Sequence, residues 1–151
     1  MISLRKIHHR ISLIALIVVC ISCQRNTLYH SYQPVNNTGW HRTDTLFYQL
    51  PHPISKDNNL QYEIGIRHEA TYKYQDLWLT VNHDTIHLYL SDSIGYWKGA
   101  GIGNIRQYTH RFQVTNETKD SIKAFKIIHV MEENPLPGIC DIGIQIKEPA
   151  P

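Results

Sequence analysis

Cysteine is scarce in this chain of 151 residues, and that scarcity excludes a disulfide framework. Of its three cysteines, Cys20 lies in an apolar run near the amino terminus, Cys23 follows that run, and Cys140 stands alone in the remainder. A single cysteine cannot form an intramolecular bridge. The 129 residues after position 22 suffice for one domain that is held together by its apolar core.

The chain also lacks an apolar run long enough to cross a bilayer. ISLIALIVVCIS, residues 11–22, falls short of the roughly 20 residues that a membrane-spanning helix needs, and it follows a basic amino terminus. Because Ser22 then precedes Cys23, the layout is that of a lipobox. We predict a lipoprotein signal peptide over residues 1–22 and a lipid anchor such as palmitate on Cys23. A single-span anchor is the alternative.

Neither sign of charge is in excess. The whole chain has 15 Lys and Arg against 13 Asp and Glu, but three of the basic residues, Arg5, Lys6 and Arg10, leave with the signal peptide. The remaining 12 against 13 give the mature chain a net charge of −1. We therefore predict no nucleic-acid partner, since proteins that bind nucleic acids carry a basic excess.

Acidic residues are also missing directly after Cys23, where the sequence reads QRNT. An aspartate in the second position would signal retention at the inner membrane, and an acidic run would signal export to the cell surface in some lineages. Neither signal is present. We therefore predict a protein that is lipid-anchored at the outer membrane and faces the periplasm.

Regular periodicity is missing from residues 25–39, which are polar and contain Pro34 and an Asn pair. We interpret residues 23–39 as a tether between lipid and domain. Over residues 40–151, short β-branched and aromatic runs alternate with turn-forming clusters, as is typical of an antiparallel β-sandwich. The predicted strands are residues 45–50, 60–68, 74–81, 85–90, 106–114, 122–131 and 139–147.

The run at 122–131 is the least regular of these. Ile122, Phe125 and His129 would also share one face of a helix, so a helix is the alternative. Its β-branched residues and the turn-forming stretch ENPLPG after it favour a strand. The domain is therefore predicted to be all β, a jelly-roll-like sandwich of about seven to eight strands.

The glycine-rich segment DSIGYWKGAGIG, residues 92–103, lacks the partners of a phosphate loop. Three of its glycines alternate: Gly99, Gly101 and Gly103. Neither a helix nor a Lys-Ser/Thr pair follows them, and the next residues alternate like a strand. We predict that Gly95 forms a turn with positive φ and that the alternating glycines let a backbone or an aromatic ring approach closely. Trp97 is a candidate for that ring, or for contact with a ligand.

No constellation of catalytic or metal-binding residues emerges. His83 and His87 have the spacing of a metal pair on a helix, but they lie at a hairpin tip and in a strand, where their side chains diverge. Cys140 lies in a predicted buried strand without a base beside it, so we expect an inert thiol. We predict no enzymatic activity, no cofactor and no metal site.

A triplet of Asp, then Ser or Thr, then an aliphatic residue recurs at residues 44–46, 84–86, 92–94 and 120–122. Turn chemistry explains it, because Asp closes turns and β-branched or hydroxyl residues follow. The triplet also resembles the acceptor pattern of periplasmic O-glycosylation in one bacterial phylum. The candidate acceptors are Thr45, Thr85, Ser93 and Ser121.

The lipobox and four stretches of the chain together resemble the gliding-motility lipoprotein GldH family. The stretches are GWHRTDTLFYQL, YEIGIRHEATYKYQDLWLTV, DTIHLYLSDSIGYWKGAGIG and MEENPLPGICDIGIQI. The most specific motif of the resemblance consists of Leu90, Asp92, Gly95, Trp97, Gly99, Gly101 and Gly103. A second motif consists of Gly138, Ile139, Asp141, Ile142 and Gly143.

The resemblance implies an outer-membrane-associated lipoprotein that is needed, with sibling lipoproteins, for gliding and its linked protein-secretion machinery. It implies no catalytic residue. We therefore expect an interaction protein that docks on other lipoproteins or envelope components.

The candidate interaction surface comprises Trp78, Tyr96 and Trp97, and Trp78 is expected to face outward because it shares strand parity with Thr80. The alternative function is a lipid-anchored carbohydrate-binding module, because β-sandwiches present Trp and Tyr platforms to glycans.

Overall fold

The computed structural model describes residues 27–55, 59–115 and 121–149. Within these ranges the chain contains β-strands and no helix. The strands are β1 (Thr27–Pro34), β2 (Leu46–Ser55), β3 (Gln61–Glu69), β4 (Asp76–Val81), β5 (Asp84–Tyr89), β6 (Ala100–Ile102), β7 (Ile105–Phe112), β8 (Ser121–His129) and β9 (Ile139–Lys147).

The strands form two antiparallel sheets. The five-stranded sheet has the order β1-β9-β3-β7-β6, and the four-stranded sheet has the order β2-β8-β4-β5. Without β6, two four-stranded sheets remain between which the chain passes repeatedly, which is the arrangement of a jelly roll. The predicted all-β sandwich is confirmed, and β6 is an addition at one edge.

The apolar core lies between the sheets and follows the period-two alternation of the strands. Ile64 and Ile66 of β3 are fully buried and belong to one cluster with Leu79 of β4 and Phe125 of β8. Because alternate residues of a strand face opposite sides, this pattern leaves polar and aromatic side chains on the outer faces. Both outer faces are therefore available to bind other molecules.

The amino-terminal boundary of the domain differs from the prediction. Residues 27–34, assigned above to the tether, form β1 and pair with β9 along its length. Val35 then donates from its backbone N–H to the carbonyl oxygen of Cys140, at 3.0 Å. The sandwich therefore starts at Thr27 rather than at residue 40. The prediction failed because β1 is an edge strand without a continuous apolar stripe, and its backbone pairing leaves no mark in the sequence.

The uncertain run at 122–131 is strand β8, so the helix alternative is wrong. Its pairing with β2 is irregular. Gln49 of β2 lies opposite Ala124, whereas Ile54 lies opposite Ile122, so extra residues of β2 bulge between the two pairs. A bulge interrupts the regular alternation of a strand pair.

The predicted signal peptide and Cys23 lie outside the described residues. In the part of the chain that the structure describes, no helix has the length and hydropathy to span a membrane.

Candidate functional site

The first half of the glycine-rich segment is a turn that is closed by Asp92. Its Oδ1 accepts hydrogen bonds from the backbone N–H groups of Ile94, at 3.0 Å, and Tyr96, at 2.9 Å. Gly95 has a φ of 89°, a value that glycine adopts without strain. The predicted turn with positive φ at Gly95 is confirmed, and the turn exposes 71% of Tyr96.

The second half of the segment is a hairpin rather than a phosphate loop. Strand β6 turns at Gly103, with a φ of 58°, and pairs with β7. A Cβ at Gly101 would lie 2.8 Å from the carbonyl oxygen of Ile105 and 2.6 Å from the Arg106 guanidinium. The predicted close approach of a backbone is confirmed at Gly99 and Gly101 and is wrong at Gly103, where a Cβ would meet nothing within 4 Å. The side chain beside Gly101 is Arg106, not the ring of Trp97.

Trp97 points inward from the turn. Its indole Nε1 donates to the carbonyl oxygen of Ala70 at 3.2 Å, and its ring lies 4.6 Å from the ring of His68 and packs against Tyr72. Burial lowers the pKa of His68, so this imidazole is neutral in the folded protein. Trp97 therefore does not join the exposed interaction surface predicted for it, because its indole N–H finds its partner under the turn.

Trp78 faces outward, as its parity predicted, and is 40% exposed. Its ring stacks on that of His87, with centroids 3.8 Å apart and planes 11° apart. His87 Nε2 lies 2.6 Å from Asp76 Oδ2, which holds the imidazole in place, and the ring of Tyr89 lies 4.2 Å away. We call Trp78, His87, Tyr89 and the adjacent Val130 the aromatic face.

The aromatic face is contiguous on the outer side of the four-stranded sheet. Trp78 pairs with His87 across β4 and β5, and Val130 donates from its N–H to the carbonyl oxygen of Trp78 at 3.0 Å. Tyr89 is 58% exposed and Val130 is 40% exposed. At one end, the Lys98 ammonium lies 5.7 Å from the centre of the Tyr89 ring. Tyr96 is exposed on the turn and makes no ring contact with the aromatic face among the described residues.

The second predicted sequence motif, which contains Gly138, Asp141 and Gly143, lies where β1 packs on the sheet. The ring of Tyr32 lies flat across Gly143 of β9 and Gly65 of β3, where any side chain would collide with it. The Arg67 guanidinium stacks 4.1 Å above that ring and pairs with Asp141 at 3.4 Å. Tyr32 and Arg67 were not predicted as site residues. The sequence feature that could have predicted them is the pair of glycines inside strands, because a glycine in a strand often lies where another group approaches the backbone closely.

Glu63 lies beside this contact and is 7% exposed. Its carboxylate lies 2.6 Å from Lys147 Nζ and 3.3 Å from Arg111 Nε. Burial alone would raise the pKa of Glu63, but the two cations outweigh it and lower the pKa. The outer side of the five-stranded sheet therefore carries ion pairs, in contrast with the aromatic face.

The remaining predicted residues are not brought together. Cys140 is half-buried, and burial raises the pKa of its thiol, which disfavours the reactive thiolate. Among the described residues, no three His, Cys, Asp or Glu side chains converge as metal ligands would. Thr45, Thr85 and Ser93 are exposed, whereas Ser121 is half-buried. Their O-glycosylation stays a prediction.

The fold and these surfaces define a small jelly-roll β-sandwich with exposed aromatic side chains on one sheet. Residues 27–146 match the model of the GldH lipoprotein family, from the start of β1 to the penultimate residue of β9. The chain belongs to this family, as its resemblance predicted. The family implies a lipid-anchored, membrane-associated protein. No curated protein and no solved structure matches the chain.

Proposed function

We propose that the protein is an outer-membrane lipoprotein that serves as a non-catalytic assembly component of a gliding-motility apparatus and its linked protein-secretion machinery. The observation that carries the proposal is membership of the GldH lipoprotein family over residues 27–146. In this function the lipid on Cys23 holds the sandwich at the membrane, and the outer faces of the sheets bind other envelope components.

The aromatic face is the proposed docking surface. Trp78, Tyr89 and Val130 expose apolar area side by side, and contiguous exposed apolar area marks interaction sites. Aromatic residues are also enriched at protein interfaces, because they bury much area with few rotatable bonds. The pairing of His87 with Asp76 holds the ring under Trp78 in place, so little side-chain entropy remains to be lost on binding.

The test is chemical crosslinking in intact envelopes followed by native pull-down of the tagged protein. We expect the wild type to recover other envelope proteins and the variant with Trp78→Ala and Tyr89→Ala to recover much less of them. Ile94→Ala removes an apolar side chain that is 77% exposed on the turn, outside the aromatic face, and is the control. Recovery of the wild-type protein alone would refute the proposal.

The anchor and the membrane are tested separately. Palmitate labelling is expected in the wild type and absent in Cys23→Ala, and the labelled protein should fractionate with outer membranes. Unlabelled wild type would refute the lipid anchor, and fractionation with inner membranes would refute the outer-membrane assignment.

A carbohydrate-binding module is the second candidate, and the stacked rings favour it. Trp78 and Tyr89 offer flat apolar rings beside polar groups of His87 and Asp76, a combination suited to the faces and hydroxyls of sugars. A glycan panel should change tryptophan fluorescence in Trp97→Phe, which keeps Trp78. Unchanged fluorescence across the panel would eliminate this candidate.

A further inference from the structure

Strand β6 is the one addition to the eight strands of the jelly roll, and it leaves an open edge. In the part of the chain that the structure describes, it pairs with β7 on one side only and is the last strand of its sheet. Its three residues are exposed, and Ile102 is 91% exposed. An exposed apolar edge strand is a template for pairing with another chain, which folded proteins usually prevent.

The other sheet edges carry features that prevent such pairing. Between β1 and β2, the Gln33 side chain donates to the carbonyl oxygen of Phe47 at 2.6 Å. Strand β2 contains Pro51 and Pro53, which have no N–H to offer. At β5, Thr115 bonds the carboxylate of Asp84 through its N–H and its hydroxyl. By contrast, β6 contains neither a proline nor a charged residue.

The geometry of the hairpin directs one backbone unit of β6 outward. Ile102 and Ile105 face each other across a two-residue turn, so they form the hydrogen-bonded pair that closes it. Pairs alternate along an antiparallel ladder, so Gly101, opposite Arg106, directs its N–H and C=O away from β7. A strand placed beside β6 would bond Gly101 through both groups.

A groove lies beside this open edge, on the outer face of the sheet. Its volume is about 240 Å³, and its walls are Arg67, Ala100, Gly101, Ile102, Ile105 and Gln107. Pockets for drug-sized molecules measure roughly 300–1,000 Å³, so this groove suits one bulky side chain better than a separate ligand. Peptides that extend a sheet bind in this way, with backbone bonds for affinity and a side-chain pocket for specificity.

The charged residue beside the groove indicates which kind of side chain the groove can hold. Arg67 is the ionised residue among those lining the groove, and its Nη1 and Nε bond Asp141 and Gln107. Asp141 pairs with this cation and the ring of Tyr32 covers one of its faces, so the groove suits an uncharged apolar side chain. A second copy of the chain fits poorly, because it would bring a second Arg106 to the same edge. A strand of three residues, about 10 Å long, also buries far less area than a stable dimer needs.

The geometry points to β6 as the docking strand for an extended segment of another polypeptide. The segment pairs its backbone with Gly101 and places a bulky apolar side chain in the groove. This inference rests on the proposed function, because it states the chemistry of a partner that such an assembly component would bind.

The test uses phage-displayed random dodecapeptides and the full mature chain in detergent. Selected peptides, once synthesised, are titrated against wild type, Ile102→Lys and Ile94→Lys. Ile102→Lys sets a cation on the apolar edge and should weaken binding at least about tenfold, whereas Ile94→Lys changes an exposed residue of the turn and should leave affinity within about twofold. Bound peptide should also slow hydrogen exchange at the Gly101 amide.

We expect the selected peptides to share a bulky apolar residue, which fills the groove. Failure to select peptides, or affinity unchanged by Ile102→Lys, would overturn the inference. Dimerisation of the wild type that Ile102→Lys abolishes would also overturn it, in favour of a second copy. No other envelope protein is present in this experiment. Its outcome and the outcome of the pull-down test of the proposed function are therefore independent of each other.

Discussion

The glycines in the centre of the five-stranded sheet and the glycine at its edge hairpin have opposite surroundings. Gly65 and Gly143 lie in the centre, opposite each other on β3 and β9, and the ring of Tyr32 covers both. Gly103 lies in the turn of the edge hairpin, and a Cβ there would meet nothing within 4 Å. The central pair removes side chains so that a strand can be held, whereas Gly103 leaves backbone exposed to solvent.

The contrast shows that glycine content alone does not distinguish a structural device from a binding surface. What distinguishes them is the neighbour. The central glycines have an aromatic ring over them, and that ring ties β1 to the sandwich. Gly103 forms the turn of a hairpin whose outer side has no strand beside it among the described residues. The predictions below test this contrast.

The largest effect is expected from a side chain at the covered pair. In Gly143→Ala the new methyl group would lie 2.6 Å from the Tyr32 ring, so the ring must move and β1 loses the packing of Tyr32 on the sheet. We expect a loss of about 3 kcal/mol in the free energy of unfolding, measured by urea denaturation of the mature chain. With Tyr32→Ala already present, the cost should largely vanish. An equal cost in both backgrounds would contradict the role of the ring.

The two tryptophans sharpen the contrast between packing and exposure. Trp97→Ala removes a half-buried ring with its hydrogen bond to Ala70 and should cost about 2 kcal/mol of unfolding free energy. Trp78→Ala removes a ring that is stacked on the surface and should cost less than about 1 kcal/mol. Urea denaturation compares them. A larger cost at Trp78 would show that the aromatic face is structural rather than free to bind.

A pH dependence of stability is expected from the buried histidines. Burial lowers the pKa of His68 and of His129, so the unfolded chain binds protons at these positions below about pH 6.5 while the folded protein remains neutral there. The free energy of unfolding should therefore be level above about pH 7.5 and fall as the pH decreases below about 6.5. Urea midpoints across this range measure it.

Replacing both histidines with Phe keeps ring packing and removes the titration. The fall in stability on acidification should become shallower in this double variant. If the stability of the double variant fell with pH as steeply as that of the wild type, other titratable groups would be the cause of the acid sensitivity.

The smallest effect is expected at the edge glycine. Gly103→Asn introduces a side chain into open space at a φ of 58°, which asparagine tolerates. The change in unfolding free energy should stay within about 0.5 kcal/mol by urea denaturation. A cost comparable to that of Gly143→Ala would mean that the edge is packed and not open.

Much of the fold could be predicted from alternation. Ile64 and Ile66 of β3 and the outward parity of Trp78 follow from a period of two, which a sequence shows directly. Strand β1 could not be predicted in this way. It is held by its ladder with β9, more than a hundred positions away, and by Tyr32, whose ring covers Gly143 and Gly65.

The site was predictable only in part, for a similar reason. The glycine segment contains Trp97, and an aromatic residue in a loop is a reasonable surface candidate. Its direction depends on Ala70 and His68, which the sequence does not place beside it. The aromatic face likewise depends on the registry of β4 with β5, which brings His87 under Trp78. Hairpin pairs of this kind become predictable once the turn is located.

The most direct test of the central claim is photo-crosslinking from position 102 in intact envelopes, with the same probe at position 94 as control. If the edge of β6 is open to a partner, the probe at 102 should yield an adduct with an extended apolar segment of another envelope protein, and the probe at 94 should yield little. Equal yields at both positions, or unmodified protein only, would contradict the claim that this edge is a docking strand.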